Sequence, residues 1–144
     1  LDKNQEVNQA IVNTVKLANL LLSDLSFALK DYALSEPQYN VLRILRGAGK
    51  ESLNLFQIRE RMIQASSNTT RLIDKLKDKG LVKTRTCPGN RRKVEVNISS
   101  KGLKLLEQFD PVMIKFQDKI AEKISMDDAI NLNALLNKLI KQYL

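Results

Sequence analysis

The chain has no histidine and no tryptophan, and only one cysteine, five glycines and three prolines in 144 residues. Each scarcity closes something off. Without histidine, the commonest general acid–base group and the commonest neutral metal ligand are both missing. With Cys87 alone, neither an intrachain disulfide nor a cysteine-based zinc cluster can be built, so no metal and no other cofactor is expected. No run of 18 consecutive apolar residues occurs, which predicts that nothing spans a membrane. The first residues are polar and carry no signal-peptide pattern, so a cytoplasmic location is expected. Few glycines and prolines favour long helices over a turn-rich β architecture, and few aromatics point to a core of Leu, Ile and Val. Hydrophobic residues at 43% and charged residues at 28% are ordinary for a folded globular chain, which argues against disorder.

What the chain does have is a concentrated positive charge. Its net charge is +8. From Arg71 to Lys104 stand eleven basic and three acidic residues, so this quarter of the chain carries the whole excess and the remainder sums to zero. A cationic patch this local is an electrostatic footprint for a polyanion. A solvated basic face is the plainer alternative on charge alone.

Val7, Ile11, Val15, Ala18, Leu22, Leu25, Leu29 and Tyr32 recur at spacings of three and four. They predict one long amphipathic helix over about 4–32. Leu17, Leu20 and Leu21 widen its apolar stripe enough to suggest burial against a second subunit. Ser35 and Pro37 open a second helix, with Tyr39, Val41, Leu42 and Leu45 inward and Gly47 and Gly49 at its end. A third runs over about 55–62 with Phe56, Ile58 and Met62 inward. A fourth starts near Ser66, whose hydroxyl suits a helix N-cap, and stops at Gly80. Its first turn reads as wholly polar. After Gly80 the period changes to two: Leu81–Thr86 and Lys93–Ile98 read as strands, joined by a turn, Cys87-Pro88-Gly89-Asn90-Arg91-Arg92, with a basic tip. A further helix opens at Ser99 or Ser100, with Pro111 expected to kink or divide it. A last helix covers about 126–143.

The fold class expected is therefore mainly α with one small β-hairpin. Its order, a helix pair followed by a hairpin with a basic tip, is that of a winged helix-turn-helix flanked by N- and C-terminal helices. The expected division is 1–33 for the first helix, 34–99 for the winged domain and 100–144 for the C-terminal helices. This order suits DNA. A helix fills the major groove and its N-terminal residues reach base edges. Here those residues are Ser66, Ser67, Asn68, Thr69, Thr70 and Arg71, small donors and acceptors followed by a long cation. Asn is the type that pairs with adenine and Arg the type that reads guanine. Lys75 and Lys79 are placed to lie beside the phosphate backbone. Arg91, Arg92 and Lys93 suit a narrow minor groove, where negative potential is strongest.

The segments Leu34-Ser35-Glu36-Pro37-Gln38-Tyr39, Thr70-Arg71-Leu72-Ile73-Asp74-Lys75-Leu76, Lys79-Gly80-Leu81-Val82, Asn90-Arg91-Arg92, Ile98-Ser99 and Lys101-Gly102 together resemble the MarR family of bacterial regulators. The resemblance runs from Leu34 to about Leu106. It implies a homodimer whose first and last two helices intertwine, a partly palindromic duplex operator, and a bacterial, nucleoid-associated protein. It also implies a signal that changes the spacing of the two reading helices, and repression more often than activation. The sequence departs from the family pattern in three places: Asn90 replaces the wing's usual Asp, Arg59 a small residue, and Ile63 a turn glycine.

For sensing, Cys87 lies at the base of the wing near Arg85 and Lys83 and reads first as a spectator thiol rather than a redox switch. A small organic effector, anionic or phenolic, is the expectation, with Tyr32, Tyr39 and Arg43 as candidate lining residues. Two rival readings stand beside the regulator. One is a winged-helix module that binds protein and not DNA, which the charge map opposes. The other is an enzyme acting on nucleic acid, which the absence of histidine, metal-spaced carboxylates and a phosphate loop opposes.

Overall fold

The structure, a computed structural model, describes residues 2–64 and 68–144. Two compact units divide the chain, residues 1–108 and 109–144.

In the first unit, helix α1 spans Lys3–Leu29. Asp2 and Gln5 cap it reciprocally, each side chain accepting from the other's backbone N–H at 2.9 and 3.0 Å. The helix tightens into a 3-10 turn at Lys30–Tyr32 and ends on Ala33, which has a left-handed backbone (φ 51°). Much of α1 is open: Val7, Ile11, Val12, Val15, Leu17 and Leu20 are all exposed. Its mean hydropathy reaches 1.2 over 18 residues. By length and composition alone, one helix among the described residues therefore meets the measure of a membrane span, contrary to the expectation of none. The mean needs no unbroken apolar run, so Asn13, Lys16 and Asn19 can interrupt the stretch without lowering it below that measure.

Helix α2 (Glu36–Gly47) starts on a second reciprocal cap, Ser35 with Gln38, and carries Pro37 in its first turn, where a missing N–H is harmless. A two-residue strand, β1 (Leu53–Asn54), follows. It is too short to leave a period-two signature. Helix α3 (Leu55–Arg61) is capped by Asn54 and Gln57. Ile58 and Met62 are buried as expected, but Phe56 is 67% exposed. The reason is geometric: residues two apart on a helix point about 200° apart, so Phe56 and Ile58 cannot share one inner face.

Helix α4 (Thr69–Asp78) has Asn68 at its N-cap, so the described helix begins later than the expected Ser66. Ser66 and Ser67 lie outside the described residues. At the other end Gly80 (φ 72°) turns the chain out. There the Leu81 N–H donates to Leu76 O at 2.9 Å and the Gly80 N–H to Lys77 O at 2.8 Å, the paired bonds of a Schellman ending. Strands β2 (Val82–Cys87) and β3 (Asn90–Ile98) form an antiparallel hairpin. Cys87 stands opposite Asn90, which leaves only Pro88 and Gly89 as the loop. The expected basic turn is thus shorter, and Arg91 and Arg92 belong to β3. The sheet order is β1-β3-β2.

Helix α5 (Ser100–Ala121) begins in the first unit, tied to the hairpin by Ser99. The buried Ser99 hydroxyl donates to Gly80 O at 2.6 Å and accepts the Gly102 N–H at 3.0 Å. A Cβ on Gly102 would stand 2.3 Å from the Leu81 carbonyl oxygen, so only glycine fits. Pro111 lies inside α5 without dividing it. The core of this unit is aliphatic, with Leu29, Val41, Leu42, Leu45, Leu53, Ile58, Leu76, Val96 and Leu106 all buried. Each such side chain contributes about 1.5–3 kcal/mol of transfer free energy.

The second unit holds the rest of α5 and helix α6 (Met126–Ile140), which starts on a Ser125–Asp128 cap. No residue of α6 is buried, and Ile130, Leu132, Leu135, Leu139 and Ile140 are exposed.

Candidate nucleic-acid interface

Helix α4 is divided sharply between its faces. Ile73 and Leu76 are buried, whereas Asn68, Thr70, Arg71 and Lys75 are exposed. Asn68, Arg71 and Lys75 are spaced three and four apart and so form one open stripe. Thr69, expected with its polar neighbours to reach base edges, is instead 7% exposed and faces inward. It occupies a core-facing position of the helix, and only a threonine's size and methyl group hide it among polar neighbours in the sequence.

Lys79 also departs from expectation. Its ammonium donates to the Ala33 carbonyl and, at 3.3 Å, to Oε1 of the buried Gln38. It is held against the corner between α1 and α2, away from the position beside a phosphate that its spacing suggested. The Lys101 ammonium in turn donates to Lys79 O at 2.8 Å. On the other side of α4, in the connection from α3, Asn40 Oδ1 accepts the Ile63 N–H at 2.9 Å. Helix α2 therefore grips the helix pair both before α4 and after it. The Asn40 bond holds the turn where the family pattern has glycine. Among the described residues only Ala33 combines a side chain with a positive φ, so Ile63 makes its part of the turn without strain.

On the hairpin, Arg91, Arg92 and Lys93 are all exposed. Asn90 Oδ1 accepts the Arg92 backbone N–H at 3.1 Å, so the residue that replaces the wing's usual acid closes the turn locally. The Arg85 guanidinium meets Glu95 at 2.7 Å across the strands. That hydrogen bond holds the Glu95 carboxyl below its ordinary range, against a smaller upward push from burial. Cys87 is half-buried at an irregularity in the β2–β3 register. Among the described residues no cluster of His, Cys, Asp or Glu is placed to hold a metal ion.

The candidate effector residues separate. Tyr39 and Arg43 line one cleft with Leu22, Leu25, Pro37 and Ile63, and the Arg43 guanidinium sits 5.7 Å from the centre of the Tyr39 ring. Tyr32 is not part of this lining, and its hydroxyl donates to Gln108 O at 3.4 Å.

A helix pair, a three-stranded sheet and a cationic hairpin beside an open helix stripe define a winged helix-turn-helix. The chain belongs to the MarR family of transcriptional regulators. The family model matches residues 34–94. A MarR transcription factor from Planctomyces limnophilus is 30% identical, with 90% of this chain and 94% of that one covered and a TM-score of 0.71. Two more distant structures share the fold. A MarR family regulator from Streptomyces coelicolor, solved in complex with DNA, is 16% identical, covers 100% of this chain and 94% of its own, and has a TM-score of 0.86. BpsR from Bordetella bronchiseptica, whose DNA binding is regulated by 6-hydroxynicotinic acid, is 21% identical, covers 91% and 98%, and has a TM-score of 0.81.

Proposed function

We propose that this protein is a homodimeric, sequence-specific DNA-binding repressor of the bacterial cytoplasm, released from its operator by a small organic ligand. The observation that carries the reading is the open polar stripe of α4 beside the exposed cations of β3, in the quarter of the chain that holds all its net charge. In this reading the exposed Asn68, Thr70 and Arg71 face base edges, Lys75 faces a phosphate, and Arg91, Arg92 and Lys93 enter the minor groove, while the candidates Ser66 and Ser67 lie outside the described residues. Dimerisation is supported by the apolar faces that α1 and α6 each leave uncovered. Polar residues within the α1 stretch fit contact with another protein helix better than contact with lipid. A two-fold dimer implies a partly palindromic operator. The effector reading rests on the ligand-regulated relative and on the cleft lined by Tyr39 and Arg43, which holds about 40 Å³ here and would have to widen to admit an aromatic molecule.

Selection of bound sequences from a random duplex pool tests the reading. It should return a site with two-fold symmetry. Binding to that site should then fall by roughly 10³–10⁵ between about 50 and 200 mM salt, as expected for about 6–10 phosphate contacts. A flat salt response would favour a protein-binding module instead.

A further inference from the structure

We propose that Phe56 and the outer edge of β3 form a second DNA contact, a ledge that takes the sugar–phosphate backbone beside the wing. The proposal rests on the DNA-binding reading and extends it to a residue that the helix pattern had assigned to the core. Three observations carry it.

Phe56 is 67% exposed, a large apolar surface with no role in the core of its own unit. The sheet register then fixes where it stands. Asn54 pairs with Glu95, and β1 covers β3 only there and at Val96. The chain therefore enters α3 against the part of β3 that leads towards the wing tip. Phe56 shares a shallow cleft there with Asn54, Leu55, Arg92, Lys93 and Val94. Charge is the third observation. Arg92 and Lys93 are exposed cations, and Glu95, the acid of this strand, is paired with Arg85 at 2.7 Å. An aromatic surface flanked by cations matches a DNA strand, on which apolar deoxyribose faces alternate with phosphates. Arg92 and Lys93 are also two of the three wing cations, so the ledge continues the proposed interface.

The absence of tryptophan makes the test direct. In the full chain, Phe56→Trp installs the only tryptophan, at an exposed position. The probe is a mixed-sequence duplex of about 30 base pairs, roughly three helical turns, at low salt. Adding it should move the tryptophan emission to shorter wavelength and protect it from acrylamide, and added salt should reverse both effects. Phe56→Ser should weaken binding of the same duplex by about tenfold for each subunit engaged, the size expected when roughly half of a phenylalanine's transfer free energy is lost. Its salt slope should stay unchanged, because an apolar contact displaces no counterions. Its thermal midpoint and mass in solution should match the wild type. An emission that ignores a duplex the variant binds would overturn the ledge. So would an emission that shifts with protein concentration alone, which would assign the surface to a second copy. If the wild type bound no duplex at all, the regulator reading would fall and the ledge with it.

Discussion

Helices α2 and α6 carry similar apolar periodicity and meet opposite fates. In α2, Tyr39, Val41, Leu42 and Leu45 are buried by the unit that contains them. In α6, Ile130, Leu132, Leu135 and Leu139 remain exposed. Periodicity locates a helix and its apolar face, but it does not say whether the same chain covers that face. The winged part closes its own core, while the apolar faces of α6 and much of α1 remain exposed.

The contrast is broken most forcefully by charging the open face. Leu135→Glu combined with Leu139→Glu should leave the winged part folded but halve the mass seen by light scattering. Operator affinity should then fall by about 10²–10⁴, the advantage of engaging two half-sites together. A variant that kept both its mass and its affinity would show that α6 is not the dimer surface. On the closed side, Leu76→Ala opens a cavity under α4 and should cost about 2–5 kcal/mol in urea unfolding. A loss below that range would mean the winged core is looser than its complete burial of Leu76 implies.

Smaller effects sharpen the picture of the interface. Arg71→Ala should cost about 1–3 kcal/mol in operator binding and blur sequence preference; intact discrimination would remove Arg71 from the reading residues. The last comparison sets two lysines of one helix end against each other. Lys75→Ala, which removes one phosphate contact from each subunit of the dimer, should lower the salt slope by about 1.8. Lys79→Met should leave that slope alone and instead lower folding stability by about 1–2 kcal/mol, through loss of its bonds to Ala33 and Gln38. If Lys79→Met reduced the slope as Lys75→Ala does, the lysine would be serving DNA and not the corner.

Much of this was legible in the sequence because the signals are local. Ser35 with Pro37 marked the start of α2, Gly80 marked the end of α4, and the change from helical to alternating period located the hairpin. Long-range pairing hid the rest. Strand β1 exists only because Leu53 and Asn54 lie against Val96 and Glu95, and two residues leave no pattern. The tie from Lys79 to Ala33 joins residues 46 positions apart, and a lysine beside other lysines reads as surface charge. Phe56 is an apolar residue type at a solvent-facing helical angle, and Thr69 is the reverse, a polar type at a core-facing angle, so residue type alone misleads at both.

Gly102 has a consequence that reaches beyond its own turn. Its α-carbon lies so close to the Leu81 carbonyl that even a methyl group would collide with main chain, and main chain cannot swing aside as a side chain can. A survey of every possible substitution should therefore find this position among the least forgiving in the protein, although it touches no ligand. The root of the hairpin and the start of the helix that follows it are in effect welded. Whatever displacement one of them undergoes, the other inherits.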